Sequence, residues 1–376
     1  MKILLLVSSM HAGGAERVAA TLVNAWSARG DQVVLMPTYS SKGSCFYPVS
    51  DAVELLWLAD LAGSRAGPLR RLLALRRHVR RSRPDVVVSF LTNVNVAAIL
   101  AVARLDVPVI VCERTNPAAA ENVGRALQLA RGWTYPRADI VTVQAEATVG
   151  PFRALVPGIR RLEVVPNPLP PELADAAPAG RGGPAGGRKR LMAMGRLVPE
   201  KQFDLLIDVF AGLAAEHPDW DLGIWGAGPE HERLVGRIER HGLRGRVELA
   251  GRTETPWETL AAGHAFVLAS AVEGFPNVLL EAMALGLPCA SFDCPSGPRE
   301  MTRDGQDALL APAGDRAALA AALDRLMRDA DLRRELGARA ARSVRERYAL
   351  PAVVARWDEL FEAVGAWPDR KGRAVS

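Results

Sequence analysis

Arg190-Leu191-Met192-Ala193-Met194-Gly195-Arg196-Leu197-Val198-Pro199-Glu200-Lys201 is an apolar run that stops at a glycine and empties into a short basic loop. A strand followed by a glycine loop is how a doubly wound α/β domain opens, since such domains carry their ligand loops at the strand ends. Here that opening stands in the middle of the chain. Just before it, Pro166-Asn167-Pro168 and the Pro-, Gly- and Ala-rich stretch Pro170 to Gly187 have the composition of a linker. A length of 376 residues also favours two domains over one.

Reading outward from the loop, strands are predicted at 190–194, 222–225, 247–250, 265–268 and 289–292. Helical patterns lie at 204–216, 230–241, 278–285 and 316–328. A terminal helical run, 332–364, is expected to break or kink near Leu350-Pro351. The first half shows the same alternation, with strands at 3–8, 32–36, 86–90, 107–112 and 140–143 and helices at 15–29 and 94–104. The strand runs are continuously apolar rather than alternating, which predicts parallel strands buried on both faces. The fold class is therefore α/β, two Rossmann-like doubly wound parallel-sheet domains facing across a cleft. We divide the chain into an N-terminal domain (1–169), a linker (170–189), a C-terminal domain (190–350), and a helix returning to the first domain with a polar tail (351–376).

Composition excludes several classes. Apolar residues make up 49% and charged residues 24%, as in globular domains, so extensive disorder and fibrous folds are out. The longest apolar stretches fall short of the roughly 20 residues needed to span a bilayer. Lys2 precedes only five apolar residues, which reads as a first strand rather than a secretory leader, so a cytoplasmic location is expected. Cys45, Cys112, Cys289 and Cys294 lack metal-site spacing, and the six histidines never fall at i, i+4. Neither structural zinc nor a disulfide framework is expected, and the thiols read as scattered and mostly buried.

The net charge of +5 conceals a split. Residues 1–169 carry 20 Lys+Arg against 12 Asp+Glu, while residues 170–376 carry 27 against 30. Between Asp60 and Asp85 there is no acid, and Arg65, Arg70, Arg71, Arg76, Arg77, Arg80, Arg81 and Arg83 surround Leu69, Leu72, Leu73, Leu75 and Val79. At helical spacing Leu69, Leu72, Leu73, Arg76 and Val79 form a stripe flanked by arginines. Such a helix suits an anionic membrane surface or a phosphate-bearing acceptor, with Arg70, Arg71, Arg76, Arg77 and Arg80 as contacts. A solvated surface helix is the competing reading. Nucleic acid is disfavoured, because no aromatic residues interleave with the arginines.

Four glycine loops follow strands. Gly13-Gly14-Ala15-Glu16-Arg17 opens a helix whose free amides favour anions. It is not GxGxxG, and no acid closes the next strand, so a nicotinamide dehydrogenase is disfavoured. In Gly195 to Lys201, Arg196 and Lys201 supply two cations suited to a diphosphate. Gly226-Ala227-Gly228-Pro229-Glu230 is another tight loop before a helix. The fourth, Glu273-Gly274-Phe275-Pro276-Asn277-Val278-Leu279-Leu280-Glu281, places Pro276 where a helix starts, with amides free for an anion and two acids about two turns apart. The DxD string Asp219-Trp220-Asp221 reads as a loop rather than a metal site.

This ordered set resembles the family-4 glycosyltransferases, which adopt the GT-B fold, and the resemblance spans essentially the whole chain. It implies a retaining transfer from a nucleotide-diphosphate sugar, UDP-linked ahead of GDP or ADP, without a bound metal ion or other cofactor. By motif position, Arg196 and Lys201 would hold the donor diphosphate, Glu273 the sugar hydroxyls and Glu281 the ribose. Arg196, Lys201 and Glu273 form the implied catalytic set. The implied donor-binding set is Gly13, Gly14, Gly195, Gly226, Arg252, Gly274, Phe275, Pro276, Asn277, Val278 and Glu281, with the base near Gly251 and Arg252. Ser89-Phe90-Leu91-Thr92-Asn93, Glu113-Arg114-Thr115-Asn116-Pro117 and Cys294 to Glu300 resemble members that build lipid-linked oligosaccharides and surface polysaccharides. They point to an N-acetylhexosamine or hexose and a polyprenyl-diphosphate-linked or other glycan acceptor. Asn93, Glu113, Arg114 and Asn116 are the acceptor-side candidates. Glu113-Arg114 stands where many relatives carry a histidine, and Gln202 where a glycine is common. A monomer or weak dimer, peripheral on the inner face of the plasma membrane, is expected. A nucleotide-sugar 2-epimerase, or a non-catalytic nucleotide-sugar-binding protein of a polysaccharide assembly complex, are the rival readings.

Overall fold

In a computed structural model, which describes residues 1–39, 45–114, 116, 124–176 and 187–367, the apolar run Lys2–Val7 forms strand β1, buried from Ile3 onward. The chain divides into two compact units, one holding Met1–Pro168 together with the segment from Leu350, the other Leu169–Ala349.

In the first unit the strands are β1, β2 (Gln32–Pro37), β3 (Glu54–Leu55), β4 (Val86–Phe90), β5 (Val109–Cys112), β6 (Ile140–Val143) and β7 (Leu162–Val164). They pair in the order β3-β2-β1-β4-β5-β6-β7, every pair parallel. The helices are α1 (Gly14–Ala28), α2 (Leu58–Ala62), α3 (Pro68–Ser82), α4 (Thr92–Val102), α5 (Arg125–Thr134) and α6 (Val149–Leu155). Successive β1 side chains serve opposite layers: Ile3, Leu5 and Val7 pack with Trp26 of α1, whereas Leu4 and Leu6 pack with Leu75 and Val79 of α3. Covering both faces is what makes the strand apolar throughout.

The second unit repeats the plan. Strands β8 (Lys189–Met194), β9 (Trp220–Trp225), β10 (Val247–Gly251), β11 (Ala265–Leu268), β12 (Cys289–Asp293) and β13 (Leu309–Pro312) lie in the order β10-β9-β8-β11-β12-β13. Helices α7 (Phe203–Leu213), α8 (His231–Arg240), α9 (Pro256–Ala261), α10 (Asn277–Ala284), α11 (Pro298–Met301), α12 (Arg316–Arg328) and α13 (Ala330–Arg347) connect and cover them. The final helix, α14 (Leu350–Ala363), belongs to the first unit. Its Trp357 and Phe361 meet Trp26 edge-on at 5.6 and 5.5 Å, and Arg29 donates to Asp358 at 2.5 Å.

Several expectations need correction. The terminal helical run does break beside Leu350-Pro351 as expected, but Pro351 itself sits in the first turn of α14, where its missing N–H costs nothing. Part of the expected linker is structured: Pro171–Leu173 forms a 3₁₀ turn, Leu169 and Leu173 join the second unit's core, and Arg345 donates to the Ala176 carbonyl. Residues 177–186 of that linker, and the expected polar tail from 368, lie outside the described residues. Helix α3 buries Ala74, Leu75 and Val79, so the anticipated stripe is rotated, leaving Leu69 68% and Leu73 52% exposed. Asp219-Trp220-Asp221 is not a loop but the entry to β9: Asp219 pairs with Lys189 at 2.7 Å, Asp221 with Arg188 at 2.8 Å, and Trp220 is buried. Among the described residues no helix is long and apolar enough to cross a membrane.

Candidate active site

In both sheets the strand order reverses beside the first strand of the unit, between β1 and β4 and between β8 and β11. Loops leaving the carboxyl ends of such neighbours diverge to opposite faces and leave a crevice for ligand. In the second unit those loops are 195–202 and 269–276, the two stretches that carry Arg196, Lys201 and Glu273. They are joined directly. Ala271 N–H donates to the Glu200 carbonyl at 2.9 Å, and Lys201 Nζ donates to Glu273 Oε1 at 2.5 Å, with both side chains largely buried. The ammonium has three donors and one is used here, which leaves capacity for an anion beside the carboxylate. Arg196 is exposed, and its guanidinium makes no hydrogen bond or ion pair among the described residues.

The neighbouring loop is held just as closely. Gly226, at φ +149°, approaches so near that an added Cβ would stand 1.8 Å from the Gly195 carbonyl oxygen. Only glycine fits there. Gln202, where a glycine is common, adopts a left-handed φ of +50° at the entry to α7. The turn therefore forms with a side chain present, at a cost of about 1–2 kcal/mol.

Glu273 begins a loop whose side chains are mostly turned inward. Phe275 is 9% exposed and meets Tyr348 edge-on at 5.8 Å. Pro276 caps α10 as anticipated, but the Asn277 amide already donates to the Phe275 carbonyl at 2.9 Å, so it is not a free donor at the helix tip. From below, Ser296 Oγ donates to the Glu273 carbonyl at 2.6 Å. Gly297, at φ +110°, lies so close that an added Cβ would stand 2.5 Å from Pro276 Cδ. Glu281 is 2% exposed and accepts a hydrogen bond from Trp257 Nε1 at 3.3 Å. Val278 is half-buried beside the core, Arg252 is exposed, and Gly251 ends β10 at φ +74°.

In the first unit, Gly13 caps α1, and Glu16 folds back over it to accept from Ser9 Oγ at 2.9 Å. Gly14 is the first residue of the helix. The acceptor-side candidates separate. Glu113 is internal, 1% exposed, and accepts from Thr92 Oγ1 at 2.9 Å and from the Tyr135 hydroxyl. Burial pushes its carboxyl up, against the pull of Tyr135, Thr92 and Arg131, and burial likewise raises the Tyr135 phenol. Asn95 ties the cluster to β4 and β5 through Ser89 and the Cys112 carbonyl. Arg114 stacks its guanidinium 3.6 Å from the centre of the Phe90 ring and donates to Asn167 at 2.5 Å, with its pKa drawn down to about 10 by burial. Glu113 and Arg114 are therefore both engaged by side chains of their own unit. Asn116 is buried, Asn93 is half-buried, and Thr115 and Pro117 of the same segment lie outside the described residues.

Two of the arginines assigned to a membrane surface are also engaged within the unit. Arg71 donates to the carbonyls of Ala66 and Thr38 at 3.1 and 3.0 Å. Arg76 donates to those of Ala101 and Ala103, at the end of α4, at 2.9 and 2.7 Å. Arg70, Arg77 and Arg80 remain exposed.

Two family models match the chain in tandem. "Glycosyl transferase 4-like domain" covers residues 13–168, and "Glycosyl transferases group 1" covers residues 180–343. This chain belongs to the family-4 type glycosyltransferases. It is 25% identical over 372 residues to an N-acetyl-D-galactosaminyltransferase of Campylobacter jejuni named for a diNAcBac-PP-undecaprenol-linked glycan, covering 97% of this chain and 99% of that one. It is 32% identical to an exopolysaccharide phosphotransferase of Streptomyces coelicolor over 93% of its own length, but spans only 39% of that relative. Among solved structures, Anabaena HepE in complex with UDP superposes with a TM-score of 0.80 at 19% identity, over 96% of this chain and all of that one, and so shares the GT-B fold.

Sequence reasoning about the glycosyltransferase missed the part played by five residues. Trp257 was hidden because nothing local links it to Glu281, 24 residues on. Ser296 and Gly297 were noted only for family likeness, although a Ser-Gly pair between two prolines is itself a tight-turn signal. Tyr135 and Thr92 reach Glu113 over sequence separations that no periodicity reveals.

Proposed function

We propose that this glycosyltransferase moves an N-acetylhexosamine or hexose from a UDP-linked donor, with retention and without a bound metal ion, to a lipid-linked oligosaccharide or polysaccharide. The observation that carries the reading is the Lys201–Glu273 pair, which sets a cation and a carboxylate 2.5 Å apart at the strand-order reversal of the second unit. Exposed Arg196 leaves from the same loop. Together the two cations would meet the charge that develops on a departing diphosphate, and donors fixed in advance need no reorganisation as charge appears. The fold neighbour with UDP and the relative named for an undecaprenol-linked glycan support the choices of nucleotide and acceptor.

In the step we infer, the bond from the anomeric carbon to the phosphate oxygen breaks as the bond to the acceptor oxygen forms on the same face. The acceptor hydroxyl proton passes to the departing phosphate, so no protein nucleophile is required. Exposed Leu69, Leu73, Arg70, Arg77 and Arg80 on α3 would hold the chain against an anionic membrane, on the cytoplasmic side. The test is UDP release from UDP-sugars in the presence of a chelator, with the anomer of the product read by NMR. Persistent turnover and a retained anomer are expected. Strict dependence on magnesium or manganese, or an inverted product, would refute the reading.

A further inference from the structure

The first unit contains a cavity of about 590 Å³ that the donor chemistry does not use. Its walls are apolar: Leu58, Leu72 and Leu75 from α2 and α3, Val96 and Leu100 from α4, and Leu127 from α5. Polar groups enter the lining only as Thr38 and Tyr39 just past β2, Arg71, and Asn93 at the start of α4. Thr38, Tyr39 and Asn93 mark the carboxyl end of the sheet, where α/β folds carry their ligands. Arg71 is the one charged lining residue, and its guanidinium grips the carbonyls of Ala66, Thr38 and Tyr39. It builds the rim rather than charging the interior.

The surroundings define the occupant. Helix α3 contains six arginines and no acid, and Arg70, Arg77, Arg80 and Arg81 are exposed without a hydrogen bond or ion pair among the described residues. The same helix holds out Leu69 and Leu73, and α5 holds out Leu129 and Trp133, 75% and 59% exposed. An apolar chamber beside an uncompensated positive helix complements a molecule with a hydrocarbon chain and a phosphate. We propose that this cavity takes the hydrocarbon chain of the lipid end of the acceptor, while the exposed α3 arginines face its phosphates. The proposal rests on the lipid-linked acceptor reading above and adds where the lipid is held. The chamber selects for chain length, since each buried methylene strengthens binding roughly fourfold.

Calorimetric titration with farnesyl phosphate and with isopentenyl phosphate tests this without knowledge of the sugar. The wild-type chain should bind farnesyl phosphate at least tenfold more tightly. Ala97→Trp, which fills the chamber from half-buried α4, should erase at least tenfold of that affinity while leaving the thermal shift produced by UDP unchanged. Val96→Trp, from another point of the wall, makes the same test if the first variant does not fold. Equal affinity for the two phosphates, or an unaltered affinity in the filled variants, overturns the proposal. A missing UDP shift in the wild type would instead count against the donor reading, and the chain-length result would still decide the chamber.

Discussion

Replacing Lys201 by alanine separates the two tasks given to that side chain. In the structure its ammonium faces Glu273 at 2.5 Å, with the lysine side chain 19% and the glutamate 9% exposed. Removing a donor preorganised toward developing charge costs about 2.7–4 kcal/mol, which predicts a fall in kcat of about 10²–10³. The variant also strands a nearly buried carboxylate. Breaking a fully buried pair costs about 3–5 kcal/mol and an exposed one less than about 1, so for this partly wetted pair we expect about 2 kcal/mol. Glu273→Gln in the Lys201→Ala background removes the stranded charge and should recover part of the stability but none of the turnover. The assay is UDP release at saturating UDP-sugar, alongside thermal melting of the single and double variants. Turnover within threefold of wild type in Lys201→Ala refutes the diphosphate role. Recovery of turnover in the double variant would show that Lys201 serves only to neutralise the Glu273 charge.

Three further expectations follow from the geometry. Gly297→Ala forces a Cβ against Pro276 at a left-handed φ, so the Glu273–Pro276 loop must shift; UDP should lose most of its thermal stabilisation of the chain, and an unchanged shift would count against the buttress. Trp257→Phe deletes the donor to Glu281 and should raise the KM for the nucleotide sugar severalfold with little change in kcat; a change confined to kcat would contradict that role. Glu113 has its carboxyl raised by burial, so its stabilising contribution is complete below about pH 4.3, its unfolded value, and is lost as pH rises through the folded one. Glu113→Gln should accordingly gain on wild type in melting temperature between pH 5 and pH 8, and a constant difference would disprove the linkage.

The two sheets were legible because parallel strands covered on both faces leave unbroken apolar runs, as in Ile3–Val7 and Leu191–Ala193. Short edge strands leave no such trace: β3 is two exposed residues, and β13 is only partly buried. Helix α3 was found but rotated, because its leucines do not all face inward. Ala74 takes an inner position while Leu69 and Leu73 look out. At the candidate site, glycine loops and charge types were readable from local sequence, so Arg196, Lys201, Glu273 and Glu281 could be named. The fate of Glu113 depended on Thr92 and Tyr135, 21 and 22 residues away, and only the folded chain brings them together.

The last helix has a consequence for biosynthesis. Trp26 is covered by Trp357 and Phe361, which leave the ribosome only after all of residues 169–349 have been made. The contiguous unit can thus finish folding while the earlier one still lacks part of its interior, the reverse of the usual amino-to-carboxyl order. Until translation reaches α14, a tryptophan and the α1 surface around it stay open to chaperones and to misassociation.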